Sequence, residues 1–195
     1  MQKRDLRSRL LLALGLLCIL LSMTWLAWNL VENYQVKQAS DHVLSSLKLV
    51  EKRDFDATDE ELPVEKINQT NYMGVLSIPD KNLYLPIAAD YSFEQISKNP
   101  TRYMGSYLTN DLVVCGHDNA VHFLALQTIA IGTKISLETV NGEKIQYMVT
   151  NREVIEPTAV DKVSKGTGQD DDWDLSLFTC TQSGLARVLV RCKRI

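Results

Sequence analysis

The sequence predicts a mainly β domain, a small closed barrel or sandwich, that follows an N-terminal membrane helix. From Tyr72 to the end of the 195-residue chain there are about seven or eight short strand-like runs and little helix. The first 31 residues contain a basic cluster and a long apolar stretch. The formal net charge is −3 and no basic stripe alternates with aromatic residues, so nothing indicates nucleic-acid binding.

The first 31 residues predict a membrane anchor. Residues 1–9 carry four basic side chains against one acid, namely Lys3, Arg4, Arg7 and Arg9 against Asp5. Residues 10–31 carry no charge, and these 22 positions are enough for a helix across a bilayer core of about 30 Å. Trp25 and Trp28 lie toward the far end, where interfacial aromatic residues collect. Because the basic cluster precedes the span, we expect the N-terminus in the cytoplasm and the rest outside the cell.

A cleaved signal peptide is the alternative to an anchor. Its apolar region would be about 7–15 residues long and would end at a small-residue cleavage site. The apolar stretch here is longer, and no such site is evident. The sequence therefore favours an uncleaved, single-pass anchor in the cell membrane.

A stalk and a linker are expected over residues 32–71. Within residues 32–50, apolar side chains recur at helical spacing, which predicts a helical stalk (Val36, Val43, Leu47 and Val50). Residues 51–66 are rich in acidic side chains, as is typical of a solvated linker. The composition changes at Tyr72, and residues 72–195 are assigned to the folded domain.

The first half of the domain contains strands broken by proline. Short strands are expected over residues 74–79 and 83–87, and a helical turn over residues 93–96 that ends near Pro100. Residues 112–115 form an uninterrupted apolar run, which suits a strand buried on both faces. This strand is expected to end at a sheet rim.

The second half begins with a helix predicted over residues 121–131. Asn141 and Gly142 then form a strong turn pattern between strands expected over residues 134–137 and 144–149. A polar loop leads from this hairpin to two closing strands.

The closing strands bring a cysteine toward an arginine. Because alternate strand residues share a face, Cys180 lies with Phe178, and Arg187 lies with Arg191. If the strands pair antiparallel with Cys180 opposite Arg187, both side chains point the same way. Six residues separate the two, so this register is an inference that the turn does not force.

A reactive thiol needs a proton partner. The chain has four cysteines whose spacing resembles neither a zinc site nor a disulfide framework, namely Cys18, Cys115, Cys180 and Cys192. Of the three histidines, His42 falls in the stalk and His122 in the predicted helix. His117 follows a buried strand and a glycine, where a side chain can be presented at the rim. A thiol, an imidazole and a guanidinium together suit acyl transfer.

These residues resemble the sortase family. The run Ser176-Leu177-Phe178-Thr179-Cys180 with Arg187 is similar to the signature Thr-Leu-x-Thr-Cys and its downstream arginine, with Ser176 in place of the first threonine. Gly116-His117 resembles the family's histidine, and residues 74–79 and 83–87 resemble its opening strands. The resemblance covers roughly residues 72–195.

The resemblance implies a closed eight-stranded β-barrel with short helices, on the outer face of a Gram-positive type membrane. Such transpeptidases cut a motif similar to Leu-Pro-x-Thr-Gly in surface proteins, hold the product as a thioester and pass it to an amine of a cell-wall precursor or a pilin lysine. Carried over by position, Cys180 is the nucleophile, His117 the general acid and base, and Arg187 the substrate and oxyanion group. Thr179 is implied as a further substrate contact.

Several residues near the site have alternative interpretations. Arg191 competes with Arg187, but a barrel-rim charge is the simpler interpretation. Cys115 and Cys192 are expected to be core residues, and Asp118 either orients His117 or is a solvated turn residue. No cofactor is required by the implied chemistry. Calcium is conceivable at a cluster of acidic residues, Asp170, Asp171, Asp172 and Asp174, although a solvated loop is the simpler interpretation.

Other protein classes stay open. A hydrolytic cysteine protease shares the acyl-enzyme, although the papain-type order of cysteine before histidine is reversed here. A zinc-stabilised module lacks a full ligand set of familiar spacing, and an anchored adhesin would need no reactive thiol. Within sortases, the linker shows no Asp-Pro-aromatic lid motif of the pilin-polymerising type. This favours an enzyme that anchors proteins to the cell wall, with pilin polymerisation as the alternative.

Overall fold

The computed structural model of the chain describes residues 2–47, 62–164 and 173–195. The chain divides into two compact units, Met1–Val36 and Lys37–Ile195. The predicted boundary of the folded domain at Tyr72 stays a prediction.

The first helix, α1, spans Gln2–Ser46. Its part from Ser8 to Ser46 is long and apolar enough to cross a membrane, with a mean hydropathy of 2.4 in an 18-residue stretch of which nothing is buried. The predicted span, residues 10–31, is helical and exposed throughout. This fits the predicted membrane anchor. Its orientation across the membrane stays a prediction.

The rest of the described chain is mostly β-strand. A second helix, α2, spans Phe93–Lys98, and single 3₁₀ turns cover Pro79–Lys81, Phe123–Thr128 and Val160–Lys162. The strands are β1 Glu65–Ile67, β2 Thr70–Ile78, β3 Leu83–Ala88, β4 Thr101–Met104, β5 Leu112–Cys115, β6 Lys134–Thr139, β7 Lys144–Ile155, β8 Leu175–Cys180 and β9 Arg187–Arg194.

Eight of these strands close into a barrel. The neighbour order is β2, β3, β4, β5, β8, β9, β7 and β6, and β6 pairs back with β2 through Leu137 opposite Leu76. The pairs β3–β4 and β5–β8 are parallel and the others antiparallel. The predicted closed eight-stranded barrel is therefore confirmed. The short strand β1 adds to the start of β2 from within the region assigned to the linker.

Alternation along the strands fills the barrel. In β7, residues Ile145, Tyr147 and Val149 are buried while the residues between them are exposed. All four residues of β5 are buried, as the uninterrupted apolar run predicted. The inner core joins Leu126 of the 3₁₀ segment to residues of nearly every strand, including Leu76, Leu85, Ile87, Leu112, Ile135, Leu137, Leu175, Leu177, Val188 and Val190. Burying apolar area of this kind, at about 25 cal/mol per Å², is the main term that favours the fold.

The end of α1 belongs to this second unit. Val43 and Leu47 are buried in a cluster with Tyr72, Ala88 and Val140. The predicted stalk is therefore helical as far as Ser46, and its last turns pack on the barrel. Residues 48–61, which include most of the predicted acidic linker, lie outside the described residues.

The predicted helix over residues 121–131 is wrong in type and length. The structure has a 3₁₀ turn over Phe123–Thr128 instead. Phe123 and Leu126 are both fully buried, and a spacing of three residues matches one 3₁₀ turn. The preceding residue, His122, has φ −123° and ψ −117°, which no helix accommodates.

Candidate active site

Cys180 ends strand β8 on the outer face of the barrel. Leu175 and Leu177 of β8 belong to the inner core, whereas Phe178 packs in a smaller cluster outside it. Cys180 shares the parity of Phe178 and is partly exposed. Both line an open cleft of about 330 Å³. The nucleophilic group predicted from sequence is thus accessible to a ligand in the cleft.

Arg187 lies directly across from Cys180. The two are register partners in the antiparallel pair β8–β9, as the parity argument predicted. Arg187 is half-buried and lines the same cleft. Its Nη1 donates to the carbonyl oxygens of Gly184 and Ala186, at 3.2 and 3.0 Å, so the turn between the strands holds one end of the guanidinium. A guanidinium has further N–H donors that remain for a ligand.

His117 reaches the same edge of the sheet through a parallel pair. Cys115 of β5 is the register partner of Phe178 in β8. His117 and Cys180 each lie two residues beyond that pair, so the two chain segments leave the sheet side by side. The backbone N–H of Gly116 donates to the carbonyl of Phe178 at 3.2 Å, which continues the pairing to the edge. His117 is exposed and lines the cleft.

Gly116 is required by the packing beneath His117. A Cβ at this position would lie 2.7 Å from Cδ2 of Phe123, whose ring is fully buried. The Phe123 backbone N–H donates to the His117 carbonyl at 3.0 Å, which closes the loop over that ring. The loop can therefore bend tightly only because residue 116 has no side chain.

Thr179 has a structural contact that the sequence did not indicate. Its hydroxyl is buried and donates to the carbonyl oxygen of Gly116 at 2.8 Å. Thr179 also lines the cleft. Its predicted contact with substrate stays a prediction, and the observed bond ties β8 to the His117 loop.

An aromatic wall forms another side of the cleft, and sequence reasoning missed it. Tyr103 stands edge-on to Tyr91 at 5.4 Å and to Phe178 at 5.3 Å between ring centroids. Tyr91 also contacts Phe93 edge-on at 6.0 Å. Each edge-to-face ring pair of this kind contributes about 0.5–1.5 kcal/mol to stability beyond the area that it buries. The aromatic residues come from separate segments, so only the folded barrel brings them together.

The alternative candidates, Arg191 and Asp118, are hydrogen-bonded to other residues of the barrel. Arg191 lies opposite Ser176, and its guanidinium contacts the Glu153 carboxylate and the Lys162 carbonyl. Asp118 accepts a hydrogen bond from Gln127 at 3.2 Å.

The remaining thiols of the barrel are buried. Burial raises the pKa of the Cys115 thiol to about 12 and that of Cys192 further still. Cys115 lines the cleft but is 1% exposed, and its Sγ lies 3.6 Å from the Thr101 carbonyl oxygen. A thiolate is the reactive form of cysteine, so neither residue suits nucleophilic attack.

His122 is not at the cleft. Its side chain is fully buried, and Nε2 lies 3.2 Å from the carbonyl of Lys98 at the end of α2. Burial, and to a smaller degree the nearby His117, lowers the pKa of His122 to about 4. It is therefore a neutral residue that ties the loop after His117 to α2.

A metal role gains no support from the described part of the chain. There, no three His, Cys, Asp or Glu side chains are grouped so as to hold an ion. Asp174 accepts from the backbone N–H of Arg194 at 2.9 Å. Asp170, Asp171 and Asp172 lie outside the described residues, so calcium binding there stays a prediction.

The chain was compared with protein-family models and with known sequences. A sequence model described as a sortase domain matches residues 76–195. Curated protein sequences offer no match to the chain.

Several solved structures are similar. The crystal structure of sortase C1 from Streptococcus suis is 26% identical over 64% of this chain and 73% of its own, with a TM-score of 0.55. Sortase C1 from Streptococcus agalactiae is also 26% identical, over 67% of this chain and 70% of its own, with a TM-score of 0.57. A sortase D5 transpeptidase from Clostridium perfringens is 18% identical over 82% of this chain and 97% of its own, with a TM-score of 0.58, and shows the shared fold only.

Proposed function

The chain belongs to the sortase family, and from this premise we propose that it is a membrane-anchored cysteine transpeptidase. It acts on a peptide motif similar to Leu-Pro-x-Thr-Gly in surface proteins. One observation carries the proposal: Cys180, His117 and Arg187 line a single open cleft. The catalytic domain works outside the cell, because the basic residues before the apolar helix keep the N-terminus in the cytoplasm.

The first half-reaction forms a thioester. Sγ of Cys180 attacks the carbonyl carbon of the motif's Thr. An S–C bond forms, and the C–N bond to the following Gly breaks. The proton that the thiol gives up passes through the His117 imidazole to the departing amine. The Arg187 guanidinium donates to the carbonyl oxygen as its negative charge develops.

The second half-reaction returns the enzyme to its starting state. An acceptor amine attacks the thioester carbonyl, a C–N bond forms, and the C–S bond breaks. His117 takes the proton from the attacking amine and passes it to the departing Sγ, which restores the Cys180 thiol. If water attacks instead, the product is a free acid, as in a cysteine protease.

The aromatic wall and the apolar residues that line the cleft with it suit the apolar part of such a motif. Ile155, Ala159 and Val163 line the cleft together with the rings of Tyr91 and Phe93. Phe93 is 86% exposed, which is unusual for a side chain of its size.

Two acceptors are possible. The absence of a lid motif in the linker favoured a cell-wall amine. The likeness to sortase C1 enzymes of two streptococci favours a lysine side chain of a pilin subunit instead. We propose the pilin lysine as the first candidate and the cell-wall amine as the second.

The test uses the full-length chain in detergent micelles with a peptide that contains the motif. One reaction receives an acceptor peptide with a free N-terminal glycine, and the other a peptide with an internal lysine and a blocked N-terminus. Mass spectrometry of the products identifies the acceptor. We expect a branched product on the lysine, and a free acid that dominates even at high amine concentration would overturn transpeptidation.

A further inference from the structure

The side chain of Gln127 joins the two segments that carry His117 and Cys180. Its Nε2 donates to Oδ1 of Asp118 at 3.2 Å and to the carbonyl oxygen of Cys180 at 2.8 Å. Both partners only accept hydrogen bonds, so the amide must present its NH₂ group to them. One amide thus uses both of its N–H donors to connect the residue after His117 with the backbone of Cys180.

Gln127 is itself firmly placed. It lies in the 3₁₀ turn Phe123–Thr128, in which Phe123 and Leu126 are fully buried. Its backbone carbonyl oxygen accepts from Nη1 of Arg152 in β7 at 2.7 Å. The main chain at Gln127 is therefore fixed by the buried residues of its own turn and by a neighbouring strand.

The bridge closes a frame around the two reacting side chains. On one side, the Thr179 hydroxyl bonds the carbonyl of Gly116, the residue before His117. On the other side, Gln127 bonds Asp118, the residue after His117, to the carbonyl of Cys180. His117 thus lies between two cross-links, at Gly116 and at Asp118, that tie its loop to the end of β8 at Thr179 and Cys180.

We propose that Gln127 is a positioning residue, whose amide fixes the imidazole of His117 relative to Sγ of Cys180 and thereby sets the rate of acyl transfer. This inference rests on the proposed transpeptidase function. Reacting groups lose roughly 100-fold in rate when they are misplaced by about 1 Å.

Three variants of the full-length chain in detergent test the proposal. Gln127→Met keeps the length of the side chain and removes both donors. Gln127→Glu keeps the shape of the side chain but turns carboxylate oxygens toward Asp118 Oδ1 and the Cys180 carbonyl oxygen, which are themselves hydrogen-bond acceptors. Gln146→Met is the matched control, because Gln146 is exposed on β7 and its amide donates only to Ser136 at 3.0 Å.

Two readouts separate positioning from a general loss of folding. The first is the rate of thioester formation in the acylation burst, whose amplitude counts the active sites, together with kcat and KM. The second is the pH profile of Cys180 alkylation by iodoacetamide, which needs no peptide. Misfolded protein lowers the burst amplitude but leaves the rate at each correctly folded site unchanged.

We expect Gln127→Met to slow acylation roughly 10- to 100-fold in kcat with KM within about two-fold of the parent, and to shift the alkylation profile. Gln127→Glu should be slower still, and adding Asp118→Asn should restore part of the loss, since an asparagine amide can turn its NH₂ toward the new carboxylate. Gln146→Met should match the parent in both readouts.

An unchanged rate for each titrated site, or an alkylation profile of Gln127→Met that superimposes on that of the parent, would overturn the proposal. If the parent forms no thioester with any peptide, the proposed function fails. The alkylation profiles then still decide whether Gln127 positions the two residues.

Discussion

Cys180 and Arg187 are register partners on the antiparallel strands β8 and β9, and both side chains line one cleft. The turn between the two residues does not dictate this register, so the sequence alone predicts it only as an inference. The pairing places a fixed positive charge beside the thiol that is expected to react. The register therefore decides that Arg187, and not Arg191, is the arginine of β9 that faces Cys180.

Arg187→Ala should lower kcat/KM by roughly 100- to 1000-fold, because the donor that meets the developing oxyanion is lost. Arg187→Lys should recover only part of this, since an ammonium is a point charge without the guanidinium fork. Steady-state kinetics on a motif peptide measures the loss. The control is Arg191→Ala, which removes the contacts with Glu153 and the Lys162 carbonyl. Near-normal turnover in Arg187→Ala together with a large loss in Arg191→Ala would exchange the two roles.

Thr179→Val should lower stability by about 1–3 kcal/mol and slow acylation, because the buried carbonyl of Gly116 loses its donor. Thr179→Ser keeps the hydroxyl and should retain most of the rate. Urea unfolding and kinetics measure the two effects together. A rise in KM with unchanged stability would instead support the substrate contact that the sequence predicted for this residue.

Gly116→Ala should destabilise the protein by roughly 1–3 kcal/mol, because the new Cβ meets the buried ring of Phe123. The ring or the loop must move, and His117 moves with the loop. Adding Phe123→Leu makes room and should recover part of the acylation rate lost to Gly116→Ala. Equal melting temperature and activity in Gly116→Ala and the parent would show that the contact is not tight.

The buried His122 should make stability depend on pH. Its pKa is lowered to about 4 in the folded chain, against about 6.5 for an unfolded histidine. Between these values the unfolded state binds a proton that the folded state does not, so stability falls as pH decreases from about 6.5 to about 4. The full effect is roughly 3 kcal/mol.

The measurement for His122 is urea unfolding at pH 7 and pH 4.5, compared with His122→Gln. Glutamine keeps an N–H donor for the Lys98 carbonyl and does not titrate, so the variant should lose much less stability at pH 4.5. Identical losses in the parent and His122→Gln would mean that His122 does not contribute to the pH dependence.

Local sequence patterns were sufficient for seven of the eight barrel strands and for the catalytic candidates, whereas β4, Thr101–Met104, was not predicted. The position of His117 follows from a buried strand followed by glycine, and the two-residue period of a strand places Cys180 with Phe178 and Arg187 with Arg191. The pairing of Cys180 with Arg187 needed the assumed register, which the strand pair β8–β9 has. These features depend on residues close together in the chain or on a single strand pair. The sortase signature then linked them.

Features that depend on distant segments were missed. Gln127 is 53 residues from its partner Cys180, and nothing in its own neighbourhood indicates that contact. The wall formed by Tyr91, Tyr103 and Phe178 likewise needs the closed barrel. The sequence predicts a longer helix at the 3₁₀ segment because apolar residues three apart fit both helical periods, and burial of Phe123 and Leu126 favours the tighter one.

The central claim is that Cys180 forms a thioester with a sorting peptide, and mapping of the acyl adduct by mass spectrometry tests it directly. The full-length chain in detergent is incubated with a motif peptide without an acceptor amine, quenched with acid, digested and mapped. We predict one adduct, on Cys180, that hydroxylamine removes, that Cys180→Ala lacks and that His117→Ala forms far more slowly. Cys115 and Cys192 should stay unmodified, because both are buried. A folded protein that yields no adduct with any such peptide, or an adduct on a cysteine other than Cys180, would contradict the account.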